Sequence, residues 1–363
     1  MVAEALSSAL DIFKTKTPSL VGIDISSTSV KLVELSDVGK AGFRLERYVI
    51  EPLPKDVVTD GNVLNIELAS DVLKRAWKRL GTRNREVALA LPAAMVITKK
   101  IIVAAGQKDE DLELTVEAEA NQYIPFALDE VNLDFQILGP APNNPDEVEV
   151  LIAASRKEKV EDRVAIADSA GLKPRVMDVE SYATQEVFGL IAPSLPANGR
   201  DQNIALVDIG AHVTHFYVLR NNQILFSRDQ AFGGNQLTQD IQRAFNLSPE
   251  EAESARKNQG LPENYDHDVL QPFMESLALE VTRALQFFFT STSYNQVDQI
   301  VLAGGCALLP RLDELVAKRA GVATIVANPF ASMQTTERIR PRQLAQEAPM
   351  LMIATGLAMR SFE

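Results

Sequence analysis

Two stretches of this sequence repeat one pattern and decide the fold: LVGIDISSTSVKLVEL at residues 20–35 and IALVDIGAHVTHFYVL at residues 204–219. Each is an apolar run typical of a β-strand that ends in Asp-Ile, then a turn of small or polar residues, then a second apolar run. A third strand, a helix and a buried strand follow in the same order, at 43–50, 66–80 and 86–91 and again at 223–228, 236–245 and 299–302. Five matched elements in one order predict two homologous α/β domains.

An aspartate ends the first strand of both repeats, Asp24 in one and Asp208 in the other. A carboxylate in this position is directed into a cleft, and small residues in the next turn let backbone N–H groups approach an anion closely. Two such hairpins facing each other would hold a polyphosphate from both sides, with a hydrated Mg²⁺ between the carboxylates. Singly, each aspartate is more typical of an ordinary strand end that caps a turn. As a matched pair they predict a phosphate and metal site.

Two double-glycine turns are further candidates for the cleft. VLAGGC at 301–306 predicts a strand, a glycine turn and then a helix that begins near Leu309, whereas FGGN at 232–235 opens a helix with Asn235 as the expected N-cap. Glycine permits close backbone approach before a helix N-terminus, where the helix dipole favours an anion. A plain tight turn would have the same sequence.

Three charged residues have two interpretations each. Glu180 follows a strand and opens a helix, so it is either an ordinary partner of the helix dipole or a third carboxylate of the cleft. Glu253 and Lys257 are four residues apart on a predicted helix, where such a pair usually only faces solvent.

Composition excludes several functional classes. The 363 residues suffice for two or more domains, and the formal net charge of -13 argues against a nucleic-acid partner, which requires a basic surface. Cys306 is the only cysteine, so no disulfide forms within the chain, and the three histidines do not complete a zinc site with it. These features indicate a reducing compartment.

The sequence also predicts how the chain meets a membrane. No apolar run approaches the roughly 20 residues that span a bilayer, and residues 1–18 lack the pattern of a secretory signal. Leu6, Leu10 and Phe13 recur at helical spacing and allow an amphipathic surface helix, although a frayed terminus is the stronger expectation. Since anionic lipid should repel a chain of net charge -13, membrane association is expected to be indirect.

With these residues assembled, the chain resembles the superfamily of actin, DnaK-type chaperones, sugar kinases and FtsA over residues 20–359. The resemblance implies a duplicated, actin-like (ribonuclease H-like) α/β fold that closes over ATP and Mg²⁺. It assigns Glu180 to the carboxylate that orients the attacking water, and Asp24 and Asp208 to the metal. The residues implied to hold the nucleotide are Asp24, Ser26, Ser27, Thr28, Ser29, Lys31, Asp208, Gly210, Ala211, His212, Thr214, Gly233, Gly234, Asn235, Glu253, Lys257, Gly304, Gly305 and Cys306.

One topological detail points to the FtsA branch. Only about 15 residues, 51–65, lie between the third strand and the first helix, too few for the subdomain found there in actin. The extra material instead reads as strand 96–103, helix 111–123, strands 131–138 and 148–155 around a hairpin tip at 139–146, and helix 157–170. The implied division is a tail at 1–18, a first actin-like domain at 19–92, 172–198 and 347–363, an inserted subdomain at 93–171, and a second domain at 199–346 with extra helices near 235–295.

Within that branch the chain is most similar to the PilM family of type IV pilus assembly proteins. The similarity rests on GIDI and SVKLVEL in the first repeat, EAEANQYIP at 117–125 and DVESYA at 178–183. It implies a cytoplasmic scaffold that docks at the inner membrane through the N-terminal peptide of a PilN-type protein, near residues 93–171. Other components of the pilus motor and self-association are further implied contacts.

Departures from the superfamily pattern predict slow or absent hydrolysis. Ser26 stands where glycine is common, Ala211-His212 replaces a common Gly-Gly, and His215 stands where active relatives often have Asp. A small-molecule kinase is an alternative, but no separate catalytic base for an acceptor is evident. An FtsA-like filament protein is another, disfavoured because the chain stops at Glu363 without a C-terminal membrane helix, and a chaperone would need a downstream substrate domain.

Overall fold

The structure is a computed structural model that describes residues 19–39, 42–142, 144–257 and 260–362. The expected tail at 1–18, with its amphipathic stretch, lies outside these described residues.

The strands, in chain order, are β1 Val21–Ile25, β2 Ser29–Asp37, β3 Phe43–Pro52, β4 Val58–Thr59, β5 Asn62–Val63, β6 Glu86–Leu91, β7 Ile97–Ala104, β8 Val131–Ala141, β9 Asn144–Arg156, β10 Lys173–Val179, β11 Ile204–Ile209, β12 Thr214–Arg220, β13 Gln223–Gln230, β14 Gln299–Ala303, β15 Thr324–Val326 and β16 Gln334–Thr335. The α-helices are α1 Ile66–Leu80, α2 Asp109–Ala120, α3 Lys157–Ser169, α4 Glu180–Ile191, α5 Gly234–Phe245, α6 Pro249–Lys257, α7 Gln271–Ser291, α8 Leu312–Ala320, α9 Pro341–Glu347 and α10 Met352–Met359.

The two large sheets share one strand order. The first runs β10-β6-β1-β2-β3-β16, and the second runs β13-β12-β11-β14-β15. In both sheets the leading hairpin is antiparallel, and its first strand pairs in parallel with the buried strand that follows the helix. The register sets Asp24 opposite Lys31 and Asp208 opposite His215, so the two aspartates occupy equivalent positions. The predicted duplication is therefore confirmed.

Helices α4 and α10 form the layer between the two sheets. Apolar residues of both sheets and both helices close one core there: Val33, Leu35, Val187, Phe188, Leu206, Leu219, Met352 and Ala354. Gly356 on α10 permits the close crossing, because a Cβ at that position would overlap the carbonyl oxygen of Ala183 on α4. The two sheets are therefore joined through a shared core that includes the close contact between α4 and α10.

The inserted segment forms a small antiparallel sheet of order β7-β9-β8, covered on one face by α2 through Leu112 and Val116. The helix α3, which continues directly from β9, packs elsewhere. Its Ile166 and Ala167 join Val72 and Leu73 of α1 in the core of the first sheet. The segment thus leaves and re-enters the first domain, and the exact division at 93–171 stays a prediction.

Three local predictions are wrong. The helix after the second glycine pair begins at Leu312 and not near Leu309, because Gly305–Leu308 form a 3-10 turn and Arg311 has a positive φ of 62°. Asn235 is inside α5, where Gly233 holds the N-cap position. The hairpin tip expected at 139–146 is mostly strand, because β8 is an edge strand that tolerates proline.

We expect Gly356→Ala to lower the free energy of unfolding by about 1–3 kcal/mol or more, since its methyl group has to displace the backbone of α4. Urea unfolding followed by circular dichroism measures this. Gly189→Ala in α4 is the matched control, because its nearest neighbour lies at an ordinary 3.7 Å and alanine is the better helix former. Equal stability of the two variants would contradict the close crossing.

Candidate functional site

The first turn of the cleft is organised around Asp24, which is 3% exposed at the end of β1. Its Oδ2 accepts a hydrogen bond from Lys31 Nζ at 2.7 Å, and the same ammonium donates to Ser26 Oγ at 3.2 Å. The Ser26 amide donates to the Ser29 carbonyl at 3.0 Å and closes the turn. A buried carboxylate is thereby paired with a cation that stands beside a polar turn.

The second turn is held by the start of α5. The amide of Gly234 donates to the carbonyl of Gly210 at 3.0 Å, and the amide of Asn235 donates to the carbonyl of Ala211 at 2.7 Å. Gly233 is required here, because a Cβ would lie 2.6 Å from both of those carbonyl oxygens. Asn235 therefore contributes through its backbone, although it is not the cap that the sequence predicted.

Thr214 fixes the other end of this turn. Its hydroxyl donates to the carbonyl of Phe232 at 2.7 Å, while the amide of Gly210 donates to the carbonyl of Val213 at 3.0 Å. Within the part of the chain that the structure describes, the amides of Ser27 and Thr28 in the first turn and of Ala211 and His212 in the second have no hydrogen-bond partner. Such amides are suited to bind an anion.

The second glycine pair lies against Asp208. Gly304 has a φ of 82°, and a Cβ there would lie 2.5 Å from Asp208 Oδ1, so only glycine fits. Next to it, Cys306 Sγ would lie 2.7 Å from a Cβ on Gly234, which joins this turn to the start of α5. Burial raises the pKa of the Cys306 thiol to about 11, so the group stays neutral and acts as a packing residue.

The carboxylates of the cleft repel one another in a poorly solvated place. Burial, and then the nearby Asp24 charge, raises the pKa of Glu180 to about 7. Burial also raises the pKa of Asp208 despite the cations His215 and Lys31 nearby. Although burial opposes its charge, the Asp24 carboxylate keeps the pKa of Lys31 raised. The site is therefore a cluster in which the carboxylates Asp24, Asp208 and Glu180 interact with the cations Lys31 and His215.

His215 is the structural counterpart of Lys31. Each stands on the second strand of its hairpin, directly opposite the aspartate of that hairpin. Burial opposes protonation of His215, but its Nδ1 lies 2.7 Å from Asp229 Oδ1, and that carboxylate, with Asp208 and Glu180, raises its pKa to about 9. Both hairpins therefore carry a cation at neutral pH, which the sequence did not predict for His215.

Sequence reasoning missed Arg163. It is 2% exposed on α3 and donates to the carbonyl of Ile25 at 3.0 Å and to the carbonyl of Gly61 at 2.9 Å. Its charge also lies near three carboxylates, those of Glu180, Asp24 and Asp162, which oppose the effect of burial on the pKa of Arg163. The sequence contained one indication of this position: Arg163 stands four residues before the apolar Ala167, so both lie on the same face of the predicted helix. Arg163 braces the end of β1 and thereby positions the first turn.

Two predicted residues remain less well placed. Glu253 is partly exposed on α6, but the side chain of Lys257 lies outside the described residues, so their pairing stays a prediction. Arg256 on the same helix lies close enough to Cys306 to influence its thiol, which places α6 beside the second glycine pair.

The donor set fits magnesium better than a metal held by protein alone. Among the described residues there is no group of three or more His, Cys, Asp or Glu side chains that would hold a metal ion. Asp24 and Asp208 provide two carboxylates, and Mg²⁺ typically combines one or two carboxylates with waters and phosphate oxygens.

Two open turns with aspartates at equivalent positions and a buried helix layer define the actin-like ATPase fold. The chain belongs to the family described as type IV pilus assembly protein PilM, whose model matches residues 22–362. It is 30% identical to a chain of the solved PilM-PilN type IV pilus biogenesis complex, with a TM-score of 0.79, covering 95% of this chain and 99% of that one.

More distant relatives agree with this fold. The cell division protein FtsA of Bacillus subtilis (strain 168) is 25% identical over 246 residues, which cover 68% of this chain and 50% of FtsA, so the chain matches about half the length of that curated relative. An archaeal actin homolog, Ta0583, solved in complex with ADP, is 12% identical with a TM-score of 0.50 and covers 94% of this chain and 99% of that one. Among the described residues, no helix is both long and apolar enough to cross a membrane.

We expect the free energy of unfolding to fall as pH rises from 6.5 through about 9, and His215→Gln to reduce this fall. The folded protein binds the His215 proton more tightly than the unfolded chain does, so its stabilisation is complete below pH 6.5 and is lost as pH passes about 9. Denaturant unfolding across this range measures the effect. His267→Gln, at a side chain that is 94% exposed, is the control; an unchanged pH profile in His215→Gln would refute the buried cation.

Proposed function

We propose that this chain is an ATP- and Mg²⁺-binding scaffold of type IV pilus assembly that docks on the cytoplasmic side of the inner membrane through a PilN-type partner. The observation that carries the proposal is the likeness, over nearly the whole of both chains, to a chain of the PilM-PilN complex. The paired aspartates of the cleft support the nucleotide part of the proposal.

The residues of the cleft suit a nucleotide with its phosphates between the two hairpins. Lys31 and the unpartnered amides of both turns would bind phosphate oxygens, and Asp24 and Asp208 would hold Mg²⁺ through its waters. The metal would neutralise phosphate charge. The turn at Gly304 and the facing helix α6 would border the adenosine, since glycine there leaves room for close approach.

Weak or absent hydrolysis follows from the charges around the γ-phosphate position. With a pKa of about 7, Glu180 is protonated in a large fraction of molecules at neutral pH and is then unable to accept a proton from water. Catalysis of phosphoryl transfer rests on positioning and charge stabilisation, so a substituted second turn, Ala211-His212, also reduces turnover. Nucleotide would therefore act mainly by holding the cleft closed and biasing partner binding.

The inserted sheet suits capture of an extended peptide. Its strand order leaves β7 and β8 as edge strands, and an open edge offers main-chain hydrogen bonds to an added strand. Large apolar side chains are exposed on this segment: Ile102, Leu114, Tyr123, Phe126, Ile137 and Leu138. Such side chains would provide the pockets or stripes that select the peptide's apolar residues.

We expect Asp24→Ala and Asp208→Ala each to weaken Mg²⁺-dependent ATP binding by about 100-fold or more, because each removes a carboxylate beside the phosphates. Isothermal titration calorimetry with ATP, with and without Mg²⁺, measures the loss. Asp168→Ala, at an exposed residue near the end of α3, is the control. Thermal unfolding of each variant checks the fold. Asp24→Asn is a second test that removes the charge but keeps a hydrogen-bond acceptor for Lys31. Unchanged affinity in both Ala variants would contradict the site assignment.

We expect the protein to stay in solution with neutral vesicles and to float with neutral vesicles that carry the PilN-type partner. The double variant Ile102→Asp/Ile137→Asp, which puts a charge on each edge strand, should lose this retention, whereas deletion of residues 1–17 should leave it unchanged. Leu64→Asp/Leu225→Asp is the matched control, because both residues are exposed apolar side chains outside the insert. Full retention of the insert variant would place docking elsewhere, and failure of the partner to retain the intact chain would overturn the proposed function.

A further inference from the structure

A strongly basic surface lies at the end of α1, although the chain as a whole is acidic. Residues 71–86 contain six Lys and Arg against two acidic residues, in a protein of net charge -13. The segment forms the last turns of α1 and the loop that leads to β6. The acidic excess of the chain therefore lies on other parts of its surface.

Half of these cations are neutralised by neighbours and half are not. Arg75 and Arg79 both pair with Glu51, and Lys74 lies 3.2 Å from Asp71. In the described ranges, by contrast, the exposed side chains of Lys78, Arg83 and Arg85 make no ion pair or hydrogen bond. We call Lys74, Lys78, Arg83 and Arg85 the basic face.

A cavity of about 410 Å³ opens within the basic face. Its lining comprises Lys74, Trp77, Lys78, Gly81, Thr82, Arg85 and Ala170. Arg47 Nη1 donates to the Gly81 carbonyl at 2.6 Å and adds a further cation at the C-terminal end of α1. Trp77 is 5% exposed and its indole N–H has no partner in the described structure. Lys74, Lys78 and Arg85 beside the indole of Trp77 form a lining suited to a phosphate-bearing group, while the Thr82 hydroxyl in the same lining donates to Glu34 Oε1 at 2.7 Å.

The start of the described chain lies at the same place. Asn84, between two cations of the basic face, donates its side-chain amide to the carbonyl of Ser19. Ser19, the first residue that the structure describes, therefore lies next to this face.

We propose that the basic face rests on the phosphate headgroups of an anionic bilayer, with one headgroup entering the cavity beside Trp77. Protein cations attract an anionic bilayer only within about one screening length of it. The cations of the basic face therefore act on the bilayer, while the acidic residues on the rest of the protein are too far away and are screened. The contact is weak by itself and orients a protein that the partner already holds at the membrane. The inference thus rests on the proposed function.

Flotation with four kinds of vesicle tests it. Neutral phosphatidylcholine vesicles and vesicles that also contain phosphatidylglycerol are prepared with and without the PilN-type partner. We expect retention of the full chain on partner vesicles to rise with phosphatidylglycerol, and the rise to vanish at about 1 M salt, where the screening length is about 3 Å.

The triple variant Lys78→Glu/Arg83→Glu/Arg85→Glu should lose the increment due to phosphatidylglycerol, about tenfold or more, and keep its retention on neutral partner vesicles. The control Lys318→Glu/Arg319→Glu/Arg338→Glu reverses the same number and types of exposed cations in the second half. Lys318 and Arg319 lie in the last turn of a helix, as Lys78 does. This control should behave as the unmodified chain does.

Four results would overturn the assignment. An increment that survives in the triple variant, or that is lost equally in the control, removes the basic face from lipid binding. Loss of retention by the triple variant on neutral partner vesicles would assign the face to an acidic protein segment instead. An increment that depends only on residues 1–17 would assign lipid contact to the N-terminal segment. Absence of partner-dependent retention on neutral vesicles is a separate outcome, which bears on the proposed function alone.

Discussion

Pairing of a buried carboxylate with a cation on the neighbouring strand is the interaction on which the cleft depends. Asp24 is nearly inaccessible, and a charge in that position is costly unless a partner compensates it. Lys31, directly across the hairpin, provides that compensation at 2.7 Å. Asp208 occupies the equivalent position in the second hairpin, opposite His215. The charge of His215 lowers the pKa of Asp208 against the effect of burial, while the hydrogen bond of His215 goes to Asp229. His215 thus adds a positive charge to the cleft, which suits phosphate binding better than water activation.

The inserted sheet and the first phosphate turn share one rigid connection. Strand β9 of the insert runs directly into α3, and Arg163 on α3 donates to the carbonyl that ends β1. A buried guanidinium with two carbonyl acceptors tolerates little displacement, because an unmade hydrogen bond in the interior is expensive. A shift of the insert on binding a peptide would therefore move Arg163 and displace the turn that contains Ser26. This link offers a physical basis for reciprocal coupling between partner and nucleotide, which requires only that each favours one arrangement of α3.

The sequence predicted the elements that have a clear apolar period or that recur in both halves of the chain. Helix 66–80 and strand 86–91 were predicted with their observed bounds. A strong apolar period and the following Gly81 mark the helix, and a short apolar run that ends before Pro92 marks the strand. The start of α8 was mispredicted because Arg311 takes a left-handed conformation that is uncommon for its residue type. Arg163 was missed because its function comes from two carbonyls that are distant in sequence. The protonation of His215 depends on Asp229, a neighbour that only the pairing of β12 with β13 brings into contact.

Net charge was the least informative sequence quantity for the question of membrane contact. A value of -13 predicts repulsion from anionic lipid only if the charges act together, and the screening length at physiological salt is about 8 Å, shorter than one domain is wide. A bilayer therefore senses the side chains that face it. At the end of α1 and in the following loop these include Lys78, Arg83 and Arg85, which have no ion-pair partner among the described residues, whereas the acidic excess lies elsewhere, as on the first turn of α2 with Asp109, Glu110 and Asp111. An acidic chain of this kind would be repelled in most orientations and attracted in one, so its charge pattern would select how a tethered molecule sits on the membrane.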